Sequence, residues 1–204
     1  MSDPFLIVGL GNPGPKYAET RHNAGFWFLD ELLRIAGVSA RPQSRLQAEL
    51  IRCELYGRTC VLAKPTTFMN LSGQAVRAVM EYFQVLPQNL LVAYDELDLA
   101  AGTARLKFGG GHGGHNGMRD IFRHLPVQDF LRLRIGIGHP GIKDQVTAYV
   151  LSRPTAAEEL DIRQAIGAAL EVLPAVLAGQ MPLAMTTLHT RTSASDPQSL
   201  KNQE

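Results

Sequence analysis

Apolar residues recur along this chain with two different periods, and the switches between them mark its elements. Phe5 to Val8 is an unbroken apolar run of strand length, closed by the turn-forming stretch Gly9-Leu10-Gly11-Asn12-Pro13-Gly14-Pro15. From about Asn23 to Ala36 the spacing becomes helical. Ala24, Phe28, Leu32 and Ile35 fall on one face, and Gly37 stands where a helix stops. Two short runs, near Ala48–Glu54 and Thr59–Ala63, flank Leu55-Tyr56-Gly57-Arg58 and read as a hairpin. After the irregular segment Lys64-Pro65-Thr66-Thr67-Phe68-Met69-Asn70 comes a second helical face of Leu71, Ala75, Val76, Val79, Met80 and Phe83. Leu90 to Tyr94 is apolar throughout, as a central strand covered on both faces requires. Thr103 to Phe108 alternates weakly. A glycine-rich loop, Gly109 to Gly117, opens a short helix to about Leu125, and Leu131 to Ile137 alternates with Arg132 and Arg134 on its polar face. Ala156 to Leu177 reads as one long helix, with Pro174 a point for a kink. From Thr190 the chain is polar and aperiodic, so residues 191–204 are expected to be a disordered tail.

Strands alternating with helices give the fold class: a single α/β domain over residues 1–190, with helices on both faces of a mostly parallel or mixed sheet. Ligands of such sheets bind beyond the carboxyl ends of the strands. Asn12 and Asp95 fall there, and the loops that carry Asn70 and His115 can converge on the same edge.

Composition narrows the classes. With 204 residues, 45% hydrophobic and 19% charged, the chain suits one sizeable core. No apolar run approaches the roughly 18 residues that span a bilayer. Met1-Ser2-Asp3-Pro4 lacks the basic start of a secretory signal, so a cytoplasmic protein is expected. If the hairpin loop is Tyr56-Gly57, Cys53 and Cys60 lie opposite each other. A disulfide fits that placement; two half-buried thiols in a reducing compartment fit it with fewer assumptions. A net charge of +1 excludes polyanion binding by the whole surface. One stretch is nonetheless basic: Arg105, Lys107, Arg119, Arg123, Arg132, Arg134 and Lys143 stand against Asp120 and Asp129 alone. It suits a phosphate-binding surface, or an ordinary solvated one.

Gly9 to Gly14 matches the dinucleotide signature G-x-G-x-x-G, but in the wrong setting. That loop must open a helix whose first amides meet a pyrophosphate. Here Pro13 and Pro15 lack amide protons, and the helical pattern starts some eight residues later. No G-x-S-x-G elbow is present and neither cysteine adjoins a histidine, which leaves water as the nucleophile of any hydrolysis. His22 stands just before a helix that Thr20 or Asn23 can cap, and the positive helix end favours a neutral imidazole, as a general base needs. Asp95, at the end of the most apolar strand, can orient such an imidazole and stabilise its charged form. Each residue also has a plain structural reading, as a capping histidine and a strand-end aspartate. Asn70 and Asn116 read equally as helix caps, and Asn12 as a turn residue. His112, His115 and Asp95 offer metal ligands without any ordinary ligand spacing.

Taken in register, the segments resemble the bacterial-type peptidyl-tRNA hydrolase family. The matching pieces are Val8 to Gly14, Tyr17 through Thr20-Arg21-His22-Asn23-Ala24-Gly25, Lys64 to Gly73, Asp95-Glu96-Leu97-Asp98, Gly109 to Gly117, and Arg134 to Pro140. The resemblance implies a monomeric enzyme with a twisted mixed sheet and no cofactor, no metal, no obligate protein partner and no membrane contact. Its substrate would be peptidyl-tRNA, cleaved at the ester between peptide and terminal ribose. It implies His22 as the base and Asp95 as its partner. Asn12, Tyr17, Met69, Asn70, His115 and Asn116 would bind substrate, and Lys107 and Arg134 would hold a tRNA phosphate. Ala100 stands where the family often has proline, and Arg105 where it often has lysine; both lie outside the catalytic segments.

Overall fold

The computed structural model of the chain describes residues 3–193. Its strands are β1 (Phe5–Gly9), β2 (Arg41–Gln43), β3 (Ala48–Leu55), β4 (Arg58–Pro65), β5 (Leu90–Glu96), β6 (Ala104–Phe108) and β7 (Leu131–Gly136). Its helices are α1 (Ala24–Ala36), α2 (Ser72–Phe83), α3 (Asn116–His124), α4 (Val146–Val150), α5 (Ala156–Leu177) and α6 (Met181–Ser193). The strands form one mixed sheet in the order β2-β3-β4-β1-β5-β7-β6. The four central strands, β4, β1, β5 and β7, are mutually parallel, and β2, β3 and β6 join antiparallel at the two sides.

The unbroken apolar runs follow from burial on both faces. Ile7, Leu62, Leu91 and Leu133 pack beneath α1, α5 and α6. Leu6, Val61 and Val92 face the other way, toward Val76 and Val79 of α2 and Met118 and Ile121 of α3. Each such side chain contributes about 1.5–3 kcal/mol by leaving water. The hairpin turns at Tyr56-Gly57 as expected, with both residues left-handed (φ 50° and 76°), the backbone that a two-residue loop of this twist demands. Cys53 and Cys60 are in register across it, and both are free. Burial pushes the Cys60 thiol up to about 12, so it stays protonated and unreactive.

Several expectations are corrected. Ile35, placed on the buried face of α1, is 52% exposed, because the buried stripe turns toward Leu29 and Leu33. The long helix has its expected bounds, Ala156–Leu177, with Pro174 inside it. The expected tail begins inside α6, which is held by buried Ala184 and Leu188, two anchors too sparse to read as a periodic face. Residues 194–204 of that tail lie outside the described residues.

Parallel strands put their carboxyl ends on one edge, and α1 meets that edge at backbone contact. A Cβ on Gly25 would lie 2.3 Å from the Ala93 carbonyl oxygen and 2.6 Å from Leu10 N, and one on Gly9 would lie 2.3 Å from the Gly25 carbonyl oxygen. Glycine at these positions lets the first turn of α1 rest directly on β1 and β5. The G-x-G of the first loop therefore admits a helix rather than a pyrophosphate.

Candidate active site

His22 reaches the carboxyl edge from a short 3-10 turn, Arg21–Asn23, that runs straight into α1. Neither expected cap closes that helix. Thr20 Oγ1 donates to the Tyr17 carbonyl at 2.8 Å. The Asn23 amide crosses to the first loop, accepting from Asn12 N at 2.8 Å and donating to Asn12 O at 2.9 Å. A carboxamide matches the N–H and C=O of a single buried residue, and leaving both unpaired would cost more than a missing cap. Arg21 fixes the turn from the other side. Its guanidinium donates to Ser152 Oγ at 2.6 Å, pairs with Glu158 at 2.9 Å and lies over the Tyr149 ring at 4.1 Å. This ties the His22 turn to the segment that ends α4.

Asp95 sits near the end of β5, 3% exposed. Its carboxylate contacts His22 Nδ1 at 2.9 and 3.0 Å and His115 Nε2 at 2.8 Å. The proton positions follow from the partners. His115 is the N-cap of α3, and its Nδ1 accepts from Met118 N, so its proton is on Nε2 and points at Asp95. An ionised Asp95 has no hydrogen to give, so His22 carries its proton on Nδ1. That leaves His22 Nε2 as the nitrogen with a lone pair.

Electrostatics agree with an ionised Asp95. Burial alone would raise its carboxyl, but the two imidazoles outweigh burial and hold it well below the usual carboxylate range. For His22, burial disfavours the charged ring, while the charge of Asp95 and its hydrogen bond outweigh burial and raise the imidazole above its ordinary value. The expectation that the helix end decides the protonation of His22 is thus corrected: a carboxylate at hydrogen-bond distance dominates a partial helix charge.

These groups open on a cleft of about 430 Å³, lined by His22, Asp95, His115, Asn12, Asn70, Asn116, Phe68, Met69, Glu96, Leu97, Gly113 and Gly114, with Val146, Thr147, Val150 and Leu151 as the α4 wall. Asn12 Oδ1 accepts from Met69 N at 2.8 Å, so Asn12 offers a substrate its amide protons. Asn116 is the first residue of α3 rather than its cap, and its Oδ1 accepts from Arg119 at 3.1 Å. Asn70 lies in a 3-10 turn before α2, exposed on the cleft rim.

Three predicted site residues lie outside the cleft. Tyr17 stands behind its wall, edge-on to Phe68 with ring centroids 6.2 Å apart. Lys107 is exposed on β6. Arg134, on β7, donates Nε to Glu96 at 2.8 Å. Register puts Arg105 opposite Arg134 and Lys107 opposite Arg132, so all four cations share one sheet face. That face is not uniformly solvated as its alternation suggests. Arg132 is 1% exposed, between the rings of Phe122 and Phe130 at 4.8 and 5.1 Å, and donates to the carbonyls of Gly110, Gly111 and Gln128. A glycine loop leaves carbonyls without regular partners, and a buried fork of N–H groups supplies them.

The metal set of His112, His115 and Asp95 does not form. His112 turns away, accepting from Gly114 N at 3.0 Å and packing on Phe122. Among the described residues the set that converges is His22, Asp95 and His115. The sequence reading missed this sharing of Asp95, and also Arg21, Asn23 and the α4 wall. For Arg21 and Asn23 the sequence signal was their place beside His22 in one of the matching segments.

A model of the family described as peptidyl-tRNA hydrolase matches residues 6–196. A peptidyl-tRNA hydrolase of Xanthomonas campestris pv. campestris is 52% identical over 190 residues, covering 93% of this chain and 98% of the relative. One of Halorhodospira halophila is 52% identical over 184 residues, covering 90% and 95%. A crystal structure of peptidyl-tRNA hydrolase from Acinetobacter baumannii superposes with a TM-score of 0.89 at 45% identity, covering 93% of this chain and 96% of that one.

Proposed function

Since the chain belongs to the peptidyl-tRNA hydrolase family and hydrolyses the ester of peptidyl-tRNA, we propose that His22 is the general base of that reaction and Asp95 its orienting partner. The bond cut joins the carboxyl of a peptide, or of an N-acyl amino acid, to the 3′ ribose of tRNA. His22 Nε2 takes a proton from water as that water attacks the ester carbonyl, and Asp95 holds the resulting imidazolium. The observation that carries this reading is the contact of His22 Nδ1 with Asp95 at 2.9 Å, which commits that nitrogen to the carboxylate and leaves Nε2 free on a ring that lines the cleft.

Asn12 donates to the peptide carbonyl through Nδ2, its oxygen being held by Met69. Asn70 and Asn116 line the same cleft, and their amide protons stabilise the developing oxyanion or hold the water. Met69 and His115 shape the floor, and Tyr17 supports the Phe68 wall. Lys107, exposed on β6, contacts a tRNA phosphate, with Arg134 beside it on the same face. Such contacts set affinity without reading sequence. The protein works as a monomer in the cytoplasm, without cofactor or resident metal. Among the described residues no helix is long and apolar enough to cross a membrane.

The test is hydrolysis of N-acetylaminoacyl-tRNA by wild type and His22→Ala side by side. Hydrolysis disappears in the variant while tRNA binding and folding persist. Full activity in His22→Ala removes it as the base, and no acyl release by the wild type would leave a tRNA-binding module instead.

A further inference from the structure

His22, Asp95 and His115 each present one ligand atom, and these atoms all lie within 4.8 Å of one another. Two imidazoles and a carboxylate beside an open cleft form a donor set suited to a borderline-soft cation that keeps one position for solvent. We infer that Zn²⁺ binds this cluster as a reversible inhibitor and locks His22 in the tautomer that cannot act as a base. The loss of activity rests on the general-base reading above; the binding does not.

The spacing is close to what zinc needs. With bonds of about 2.0–2.1 Å, neighbouring ligand atoms of a tetrahedral zinc lie about 3.3 Å apart. Here His22 Nδ1 and His115 Nε2 stand 2.9 and 2.8 Å from the same carboxylate oxygen. The two rings, 5.0 Å apart between centroids, are tilted by 53° and converge on that oxygen instead of stacking. Seating the cation displaces the carboxylate oxygen on which both rings converge, and the three ligand atoms, now within 4.8 Å of one another, close to about 3.3 Å around it. The cleft supplies the way in, since all three residues line it.

The proton count fixes the consequence. Zinc takes the lone pair of a ring nitrogen, and both His22 Nδ1 and His115 Nε2 now carry protons. Each ring gives up that proton and takes one from water at its other nitrogen, so both stay neutral and no proton is released overall. On His22 the proton arrives at Nε2, the atom that must accept one from the attacking water. On His115 it arrives at Nδ1, which then faces the Met118 N–H it had accepted from, and α3 loses its cap. Magnesium, which prefers oxygen donors and keeps its waters, does not compete for this set.

The experiment titrates ZnCl₂, and separately MgCl₂, into the full chain by calorimetry without substrate, for wild type, Asp95→Asn and His115→Ala. Wild type binds one zinc that both variants bind at least about tenfold more weakly, and magnesium gives no comparable heat. Wild type loaded with one zinc, with the excess removed, loses hydrolysis of N-acetylaminoacyl-tRNA and regains it on chelation. Absence of zinc binding, or equal binding by all three proteins, overturns the inference and leaves His22 as the base untouched. Zinc that binds through these residues while hydrolysis continues or accelerates overturns the inhibition, and the general-base reading falls with it.

Discussion

Replacing Asp95 by asparagine changes one oxygen to an amide nitrogen and leaves the shape of the site intact. The carboxylate accepts from two imidazoles, at 2.9 Å from His22 and 2.8 Å from His115. Both rings meet Oδ1, and His22 Nδ1 lies 3.0 Å from Oδ2 as well, so an amide nitrogen at either position sets an N–H against the His22 N–H, and that ring keeps a weakened hydrogen bond or switches tautomer. If His22 switches, its proton moves to Nε2 and the base is lost. If it does not, the imidazolium formed in the transition state loses a charge-assisted hydrogen bond worth about 1.5–3 kcal/mol and the buried countercharge as well. A combined loss of about 4 kcal/mol is about a thousandfold in kcat. The pH profile carries a second signature. Asp95 raises His22, so in the wild type the basic form is lost as pH falls through a value above the ordinary histidine range. Without the carboxylate that acid limb moves to lower pH. The ratio of wild-type to variant kcat/KM is therefore smaller at pH 5.5 than at pH 8, within the range a single histidine titration spans. Single-turnover hydrolysis across this range measures both quantities, with near-UV circular dichroism to verify the fold. A kcat within about threefold of wild type, or an acid limb that moves upward, refutes the orienting role.

Three further outcomes test the supports. Asn23→Ala removes two buried hydrogen bonds to Asn12, and a loss of about 2 kcal/mol lowers the melting temperature by about 4–8 °C, read by calorimetry. An unchanged melting temperature would deny the amide its structural role. Lys107→Ala weakens binding of all tRNAs alike and reduces the slope of log affinity against log salt by about 1, whereas an unchanged slope removes the phosphate contact. Arg132→Met unties Gly110 and Gly111, lowers stability by about 1–3 kcal/mol in urea unfolding, and speeds hydrogen exchange at the amides of residues 110–114. Unaltered exchange there would mean that the loop holds itself.

The sequence was legible where local pattern and final environment coincide. β1 and the middles of β4 and β5 are buried on both faces, so Phe5–Val8, Cys60–Ala63 and Leu90–Tyr94 are apolar throughout, and the helices between them show their stripes. It was illegible where a residue answers a need set elsewhere in the chain. Alternation put Arg132 on a solvated face because the pattern records only apolar against polar; two of the three carbonyls it serves lie 21 and 22 residues away. Asn23 looked like a cap because the helix end is adjacent, while the competing partner, Asn12, is 11 residues back. β2 is exposed at all three positions and has no stripe to read. His22 and Asp95 are 73 residues apart. Their meeting was anticipated from motifs in register, and its physical cause became visible only with the parallel pairing of β1 and β5 and the glycine contact that seats α1 on them.

The shared carboxylate also explains why so polar a cluster is kept out of water. With His22 in its basic form the charge of Asp95 has no imidazolium beside it from that ring, and burial opposes that charge. On the proposed mechanism His22 takes the proton of the attacking water, the imidazolium then offsets the charge of Asp95, and the negative charge moves out to the ester oxygen in the cleft that Asn12, Asn70 and Asn116 line. Burial thus works against the resting arrangement and with the transition state, the differential that speeds a reaction.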